Sequence, residues 1–308
     1  MTGVWIDTDM GFDDIVAILV VAHSQFVIDG VSLVFGNSTL QQVEANAAGA
    51  AQAFQWKFPI HTGRSGPVLS PLETAESILG AHGMPTAGLR LPQVPVVLHA
   101  ENAFPALCRW LEKGGDRRIL ALGPLTNLAA LVLARPDLIG RIAEIVWMGG
   151  GLTTGNHTAS AEFNALADPE ALAILLSHGL PIRMVDLDLC RKVLAAPADV
   201  SPVRAAGGRN AALIADLLSG FIDIAVSRGR RAMSLYDAVA AVAFIRPDLL
   251  EWREARLDVE LHGQHTRGRT VIETRAGRGA FNAHYAHGIR VEEARDLILQ
   301  VLQDEAGL

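Results

Sequence analysis

The chain has 308 residues, 50% of them hydrophobic and 19% charged, with a formal net charge of −7 and a mean hydropathy of +0.27. That composition supplies a substantial core and excludes a disordered or collagen-like chain. An acidic balance without a basic run argues against a nucleic-acid backbone as partner. Cys108 and Cys190 stand far apart, which predicts free thiols rather than a disulfide framework. The longest apolar run, Ile15–Ala22, is too short to span a bilayer. A strand predicted almost at the first residue leaves no room for a secretion leader, so a cytoplasmic globular protein is expected.

In chain order, Val4–Ile6 predicts a short strand ending in acids, and Ile15–Ala22 a buried helix. Val27–Phe35 predicts a second strand closed by Gly36-Asn37, Leu40–Phe54 an Ala- and Gln-rich helix, and Pro59–His61 a third strand. Such alternation is the signature of a parallel sheet covered by helices. Ser65–Pro95, rich in Gly and Pro, interrupts it, and loops of this length are commonly functional or mobile. The rhythm resumes with a helix over Ala103–Lys113, a strand over Arg118–Leu122, a helix over Leu125–Ala134 and a strand over Ile142–Met148. An irregular stretch from Gly149 to Ala167 leads to a helix over Asp168–His178 and a strand over Ile182–Val185. The last third predicts one long helix over Ala205–Arg228, a short one over Tyr236–Phe244, a hairpin of Arg256–Leu261 with Arg269–Thr274, and a closing helix over Val291–Leu302. No repeat or linker divides the chain. A single α/β domain over 1–308 is expected, with a mostly parallel central sheet flanked by helices and a Rossmann-like core.

The densest chemistry lies at residues 7–14, Asp-Thr-Asp-Met-Gly-Phe-Asp-Asp. Four carboxylates at the carboxyl end of the first strand sit where open α/β sheets bind ligands. Left alone they repel one another, and a hard divalent cation, which takes carboxylate, carbonyl and water oxygens, removes that cost. Gly11 permits the turn that folds Asp13 and Asp14 back toward Asp7 and Asp9. Helix-dipole and strand-end roles account for one or two of these acids, not for all four.

This octad resembles the N-terminal signature of the nucleoside hydrolases, the inosine-uridine-preferring N-ribohydrolases, Asp-x-Asp-Pro-Gly-x-Asp-Asp, with Met10 in the place of proline. Further blocks match in order: Gly36-Asn37 with Asn46, Gly123-Pro124-Leu125-Thr126-Asn127-Leu128, Met148-Gly149-Gly150, Asn156 with Ala161-Glu162-Phe163-Asn164, Asp168-Pro169-Glu170, and Arg267-Gly268-Arg269-Thr270. The resemblance implies one Ca2+ held by Asp9, Asp14, the Thr126 carbonyl and Asp237, with ribose hydroxyls and a water completing its shell. It implies Asp9 as general base, Asp7 in support behind it, and Asp13, Asn37, Asn156, Glu162 and Asn164 on the sugar. Tyr236 stands where many relatives have histidine. A phenol with an ordinary pKa near 10 is a poorer proton donor than an imidazolium, though it can stack on a base. His82, in Ala81-His82-Gly83, matches a His-Gly loop element and is a second candidate beside the base. Trp147 and Phe163 read as core. The implied partner is a small-molecule nucleoside, and a homodimer or homotetramer is expected.

Two other readings use the same residues. An apolar strand followed by Asp-Thr-Asp also fits haloacid-dehalogenase-like phosphatases, with Asp7 as nucleophile. That reading lacks a convincing lysine among Lys57, Lys113 and Lys192, and leaves Asn156–Asn164 unexplained. A non-catalytic nucleoside- or ribose-binding relative would keep every sugar and metal residue, but has no need of a base at Asp9.

Overall fold

A computed structural model describes residues 3–308, so Met1 and Thr2 of the expected 1–308 domain lie outside the described residues. The strands are β1 (Gly3–Thr8), β2 (Val27–Leu33), β3 (Ile60–His61), β4 (Arg117–Ala121), β5 (Ile142–Met148), β6 (Ile182–Val185), β7 (Leu194–Ala195), β8 (Met233–Ser234), β9 (Leu250–Val259), β10 (Thr270–Glu273) and β11 (Ala283–Ile289). The helices are α1 (Phe12–Ala22), α2 (Leu40–Ala53), α3 (Glu76–Leu79), α4 (Ala103–Glu112), α5 (Thr126–Ala134), α6 (Phe163–Ala167), α7 (Pro169–Ser177), α8 (Leu187–Cys190), α9 (Val200–Ala205), α10 (Ala211–Val226), α11 (Tyr236–Ile245) and α12 (Val291–Gly307). Nine strands make one sheet in the order β10-β9-β11-β6-β5-β4-β1-β2-β3, and β7 pairs with β8 alone. Across the nine-stranded sheet from β3 to β11 every pairing is parallel, β9 is antiparallel to both its neighbours, β11 and β10, and the separate β7–β8 pair is antiparallel. The expected α/β class with a mostly parallel central sheet is therefore the observed one. Among the described residues no helix is long and apolar enough to cross a membrane.

Side chains of β1 point alternately to the two faces of the sheet. Val4 and Ile6 join the core formed with α1, α10, α11 and α12, while Trp5 joins the core formed with α4, α5 and α7. A strand covered on both faces reads as a continuous apolar run, and β1 is buried from Val4 to Thr8. Helices α1 and α11 pack against each other and are buried almost all round, as core helices apolar on every face are. Their first turns carry Asp13 with Asp14, and Asp237.

The sheet places this acidic layer at a defined point. β1 lies between β2 and β4, with Asp7 beside Ser32 on one neighbour and Ala121 on the other. The chain winds outward through β2 and β3 on one side and through β4, β5 and β6 on the other. The carboxyl ends of β1 and β4 thus flank the reversal of strand order, where a crevice opens in open α/β sheets.

The strands over Ile142–Met148 and Ile182–Val185 coincide with expectation. Three differences have physical reasons. Helix α1 begins at Phe12, three residues before the apolar run, because Asp13 and Asp14 favour the positive end of the helix. The helix expected over Ala205–Arg228 starts only at Ala211, as α10: Ala205 closes the separate α9, and Gly207 at φ +78° lies between them, a conformation no continuing helix accommodates. β11 was not expected. Its sequence, Ala-His-Tyr-Ala-His-Gly-Ile, has no clean alternation, and it is a strand because β6 and β9 pair with both its edges.

Ile18 of α1 has no exposed surface. Ile18→Ala is expected to cost about 2–5 kcal/mol of unfolding free energy, the usual range for deleting a close-packed aliphatic side chain. Chemical denaturation checks this, and a loss below about 1 kcal/mol would contradict the tight packing of α1.

Candidate active site

A cavity opens at the β1/β4 crevice, lined by Asp9, Asp13, Asn37, Leu122, Met148, Asn156, Glu162, Asn164, Tyr236 and Asp237. Its outer wall is apolar, built by Ile78, Leu79, Phe221 and Ile224.

The turn between β1 and α1 is tied by short polar links. Asp14, in the first turn of α1, accepts from the Thr8 hydroxyl at 2.5 Å and from the Gly11 amide at 2.8 Å. The Met10 amide donates to the same Thr8 oxygen at 3.0 Å. Met10 itself sits at φ +49°, a left-handed conformation closed to proline, whose ring holds φ near −65°. The methionine therefore departs from the resembled octad in backbone as well as in side chain. Asn37, just beyond β2, donates its amide N–H to Asp9 Oδ2 and its Nδ2 to Asp9 Oδ1, each at 2.8 Å, and reaches Asp14 Oδ2 at 3.1 Å. Asn46 of α2 donates to the carbonyls of Met10 and His82, linking the acidic turn to the long loop.

The carboxylate oxygens of Asp13, Asp14 and Asp237 lie within 4.8 Å of one another, and Asp14 also lies against Asp9. Burial, reinforced by neighbouring carboxylates, pushes Asp13 up to about 8 and raises Asp9 and Asp237 well above the usual carboxylate range. Asp14 is also raised by burial, against the pull of Thr8 and Gly11. These are hard oxygen donors crowded together without a basic side chain among the cavity acids, a donor set that fits a hard divalent cation. Asp7 lies one layer below, outside the cavity, accepting from Ser32 and from Asn127 Nδ2 at 2.7 Å. Its Oδ2 is buried without a partner, and burial lifts it to about 7.

The opposite wall comes from the loop after β5. Glu162 caps α6, accepting from the amides of Asn164, Ala165 and Gly150 at 2.8–3.0 Å, while burial raises it to about 7. Asn164 donates to the carbonyls of Leu122 and Met148, clasping the ends of β4 and β5. The Asn156 side chain accepts from the Phe163 amide at 2.9 Å. Arg267 pairs with Glu170, and Thr270 exchanges hydrogen bonds with Gly151, so the late Arg-Gly-x-Thr block braces this wall from behind.

Asp9, Asp13, Asn37, Asn156, Glu162, Asn164, Tyr236 and Asp237 thus meet around one cavity, with Asp14 and Asp7 behind them. Two expected residues do not join. Thr126 opens α5, gives its hydroxyl to Asp168 at 2.5 Å and lines a separate depression with Arg64, Pro67 and Val68. Leu122, at the carboxyl end of β4, lines the cavity with the acids, and its carbonyl accepts from Asn164 Nδ2. A helix start four residues further on is already past the crevice. His82 is exposed and lines another depression with Gln42, Asn46 and Leu217, where Asn46 holds its carbonyl. Trp147 and Phe163 are both buried in the core, as expected, and Phe163 also lines the cavity. The sequence reading also missed His157 and Arg228 on the cavity wall. Only the adjacency of His157 to Asn156 hinted at its place.

A family model described as inosine-uridine preferring nucleoside hydrolase matches residues 4–296. The chain is 30% identical over 273 residues to the pyrimidine-specific ribonucleoside hydrolase RihB of Escherichia coli O1:K1 / APEC, covering 87% of this chain and 86% of that one. It superposes on a purine-preferring ribonucleoside hydrolase from Gardnerella vaginalis with a TM-score of 0.91 at 25% identity, covering 99% of both chains. A similar fold is seen in an inosine-uridine preferring nucleoside hydrolase from Bacillus anthracis, with a TM-score of 0.78 at 20% identity.

The raised acids carry a pH signature. With a folded pKa above the unfolded 3.8, each contributes stability that is full below that value and lost as pH rises through the folded one, about 7 for Asp7 and about 8 for Asp13. Melting temperature in chelator-treated protein is therefore expected to fall as pH rises from about 5 to about 9, and a divalent cation to suppress most of that fall. A chelator-treated profile that is flat or rising over this interval contradicts the geometry described.

Proposed function

The chain belongs to the nucleoside hydrolase family and is a ribonucleoside N-ribohydrolase, and from that premise we propose that it is calcium-dependent and that Asp9 activates the attacking water. The observation that carries this reading is the convergence of four carboxylates from two helix starts and one strand end on a cavity whose other wall offers Asn156, Glu162 and Asn164. Asp9, Asp13, Asp14 and Asp237, with the Leu122 carbonyl in place of the Thr126 carbonyl, would hold the ion. When bound, Ca2+ supplies charge neutralisation to these acids and acidifies a water in its shell.

The protein's own groups do the rest. Asp9 is fixed by two N–H donors of Asn37, so its remaining lone pairs keep one direction while it takes a proton from water. Asp13, Asn37, Asn156, Glu162 and Asn164 bind the ribose hydroxyls. Contacts that tighten as the sugar flattens toward an oxocarbenium-like state lower the barrier rather than only the KM. Asp7, held by Ser32 and Asn127, supports the floor from beneath. Tyr236 forms part of the wall that meets the base, and burial pushes its phenol up, which disfavours it as a proton donor. The same reading includes one domain across the chain, a cytoplasmic setting that suits two buried unpaired cysteines, and a homodimeric or homotetrameric assembly.

Reducing-sugar release from purine, pyrimidine and nicotinamide ribosides tests it. Turnover is expected to disappear on chelation and return with calcium, and Asp9→Asn to lower kcat by roughly 10²–10⁴-fold while the melting temperature holds. Turnover that survives chelation, or an Asp9→Asn enzyme near wild-type rate, would overturn the respective assignment.

A further inference from the structure

Hydrolysis of a ribosyl–nitrogen bond leaves an electron pair on the base, and neither Tyr236 nor His82 is suited to protonate it. The phenol is pushed up by burial and His82 lies outside the cavity. One imidazole does line the cavity among the described residues, that of His157. Its ring stands edge-on to Phe163, 5.1 Å between centroids at 62°, and Phe163 is itself tied to the preceding residue through the Asn156 side chain. Its Nε2 lies 2.5 Å from the carboxylate of Glu73, which comes from the loop between β3 and α3. Nδ1 has no partner among the described residues. A cavity-lining histidine with one ring nitrogen on a carboxylate and the other free is the arrangement a general acid needs.

We propose that His157, oriented by Glu73, is the acid that protonates the departing base. This rests on the hydrolase reading above and names the group that reading leaves open. In the step, water oxygen bonds to C1′ and loses a proton to Asp9 as the C1′–N bond breaks. The bond's electron pair stays on the base nitrogen, which receives the Nδ1 proton of His157. Glu73 remains a carboxylate and steadies the ring through Nε2. Solvent returns the proton from Asp9 to His157, so ribose and neutral base are the only products. Because Glu73 arrives from the long loop, the acid is complete only when that loop lies against the wall that carries Asn156.

The test compares two leaving groups in the full-length enzyme. Inosine and uridine release bases that need a proton, whereas 4-nitrophenyl riboside releases a resonance-stabilised phenolate that does not. His157→Ala is expected to lower kcat on the nucleosides by roughly 10²–10³-fold and on 4-nitrophenyl riboside by less than about threefold, the split that loss of an acid produces. Glu73→Gln should show the same split at a smaller size, near tenfold on the nucleosides. Activity on the phenyl substrate reports that both variants are folded. Equal losses on both substrates would make His157 merely structural, and unchanged nucleoside turnover would remove it from the reaction; either overturns the proposal. A wild-type enzyme inactive on every riboside would overturn the hydrolase reading instead.

Discussion

The structure depends on how it accommodates mutual repulsion among buried carboxylates. Asp9, Asp13, Asp14 and Asp237 are brought together by two core helices that are apolar on nearly every side, so the chain cannot separate the charges without unpacking its centre. Burial first, and neighbouring carboxylates after it, raise the pKa values of Asp9, Asp13 and Asp237, and the raised values are the mark of that cost. Thr8, Gly11 and Asn37 offset part of it with hydrogen bonds to Asp14 and Asp9. A structure that tolerates such crowding where a crevice opens has traded stability for a site.

The same constraint explains the rest of the architecture around the cavity. β1 is central in the sheet, so its end is fixed by neighbours on both sides, and Asp7 is locked beneath the acids by Ser32 of β2 and Asn127 of α5. The second wall is built as firmly. Glu162 takes three backbone donors and Asn164 clasps two strand ends, so the polar groups facing the acids have little freedom to reorient. Preorganisation on both sides lets contacts strengthen in a transition state without first paying to order the protein.

Much of this was legible in the chain. The octad is local, so its four acids announced themselves, and the central strands followed from apolar runs buried on both faces. What failed was non-local or carried no side-chain signal. β11 exists through pairing with β6 and β9, which its mixed pattern does not encode. A carbonyl ligand makes no demand on residue type, so nothing in the sequence separated Leu122 from Thr126; only the turn from β4 into α5 does. His82 looked apt by its loop motif, yet α2 holds it elsewhere. His157 acquires meaning only through Glu73, 84 residues earlier, and through Phe163 folding under its ring.

Titration calorimetry of calcium into chelator-stripped protein, run near neutral pH in two buffers of different ionisation enthalpy, tests the central claim most directly. If the clustered acids form the cation site, calcium binds with a stoichiometry near one and releases protons, because raised carboxyls must ionise to become ligands. Asp14→Asn should weaken that binding severely. Absence of binding, binding without proton release, or binding indifferent to Asp14→Asn would contradict the account.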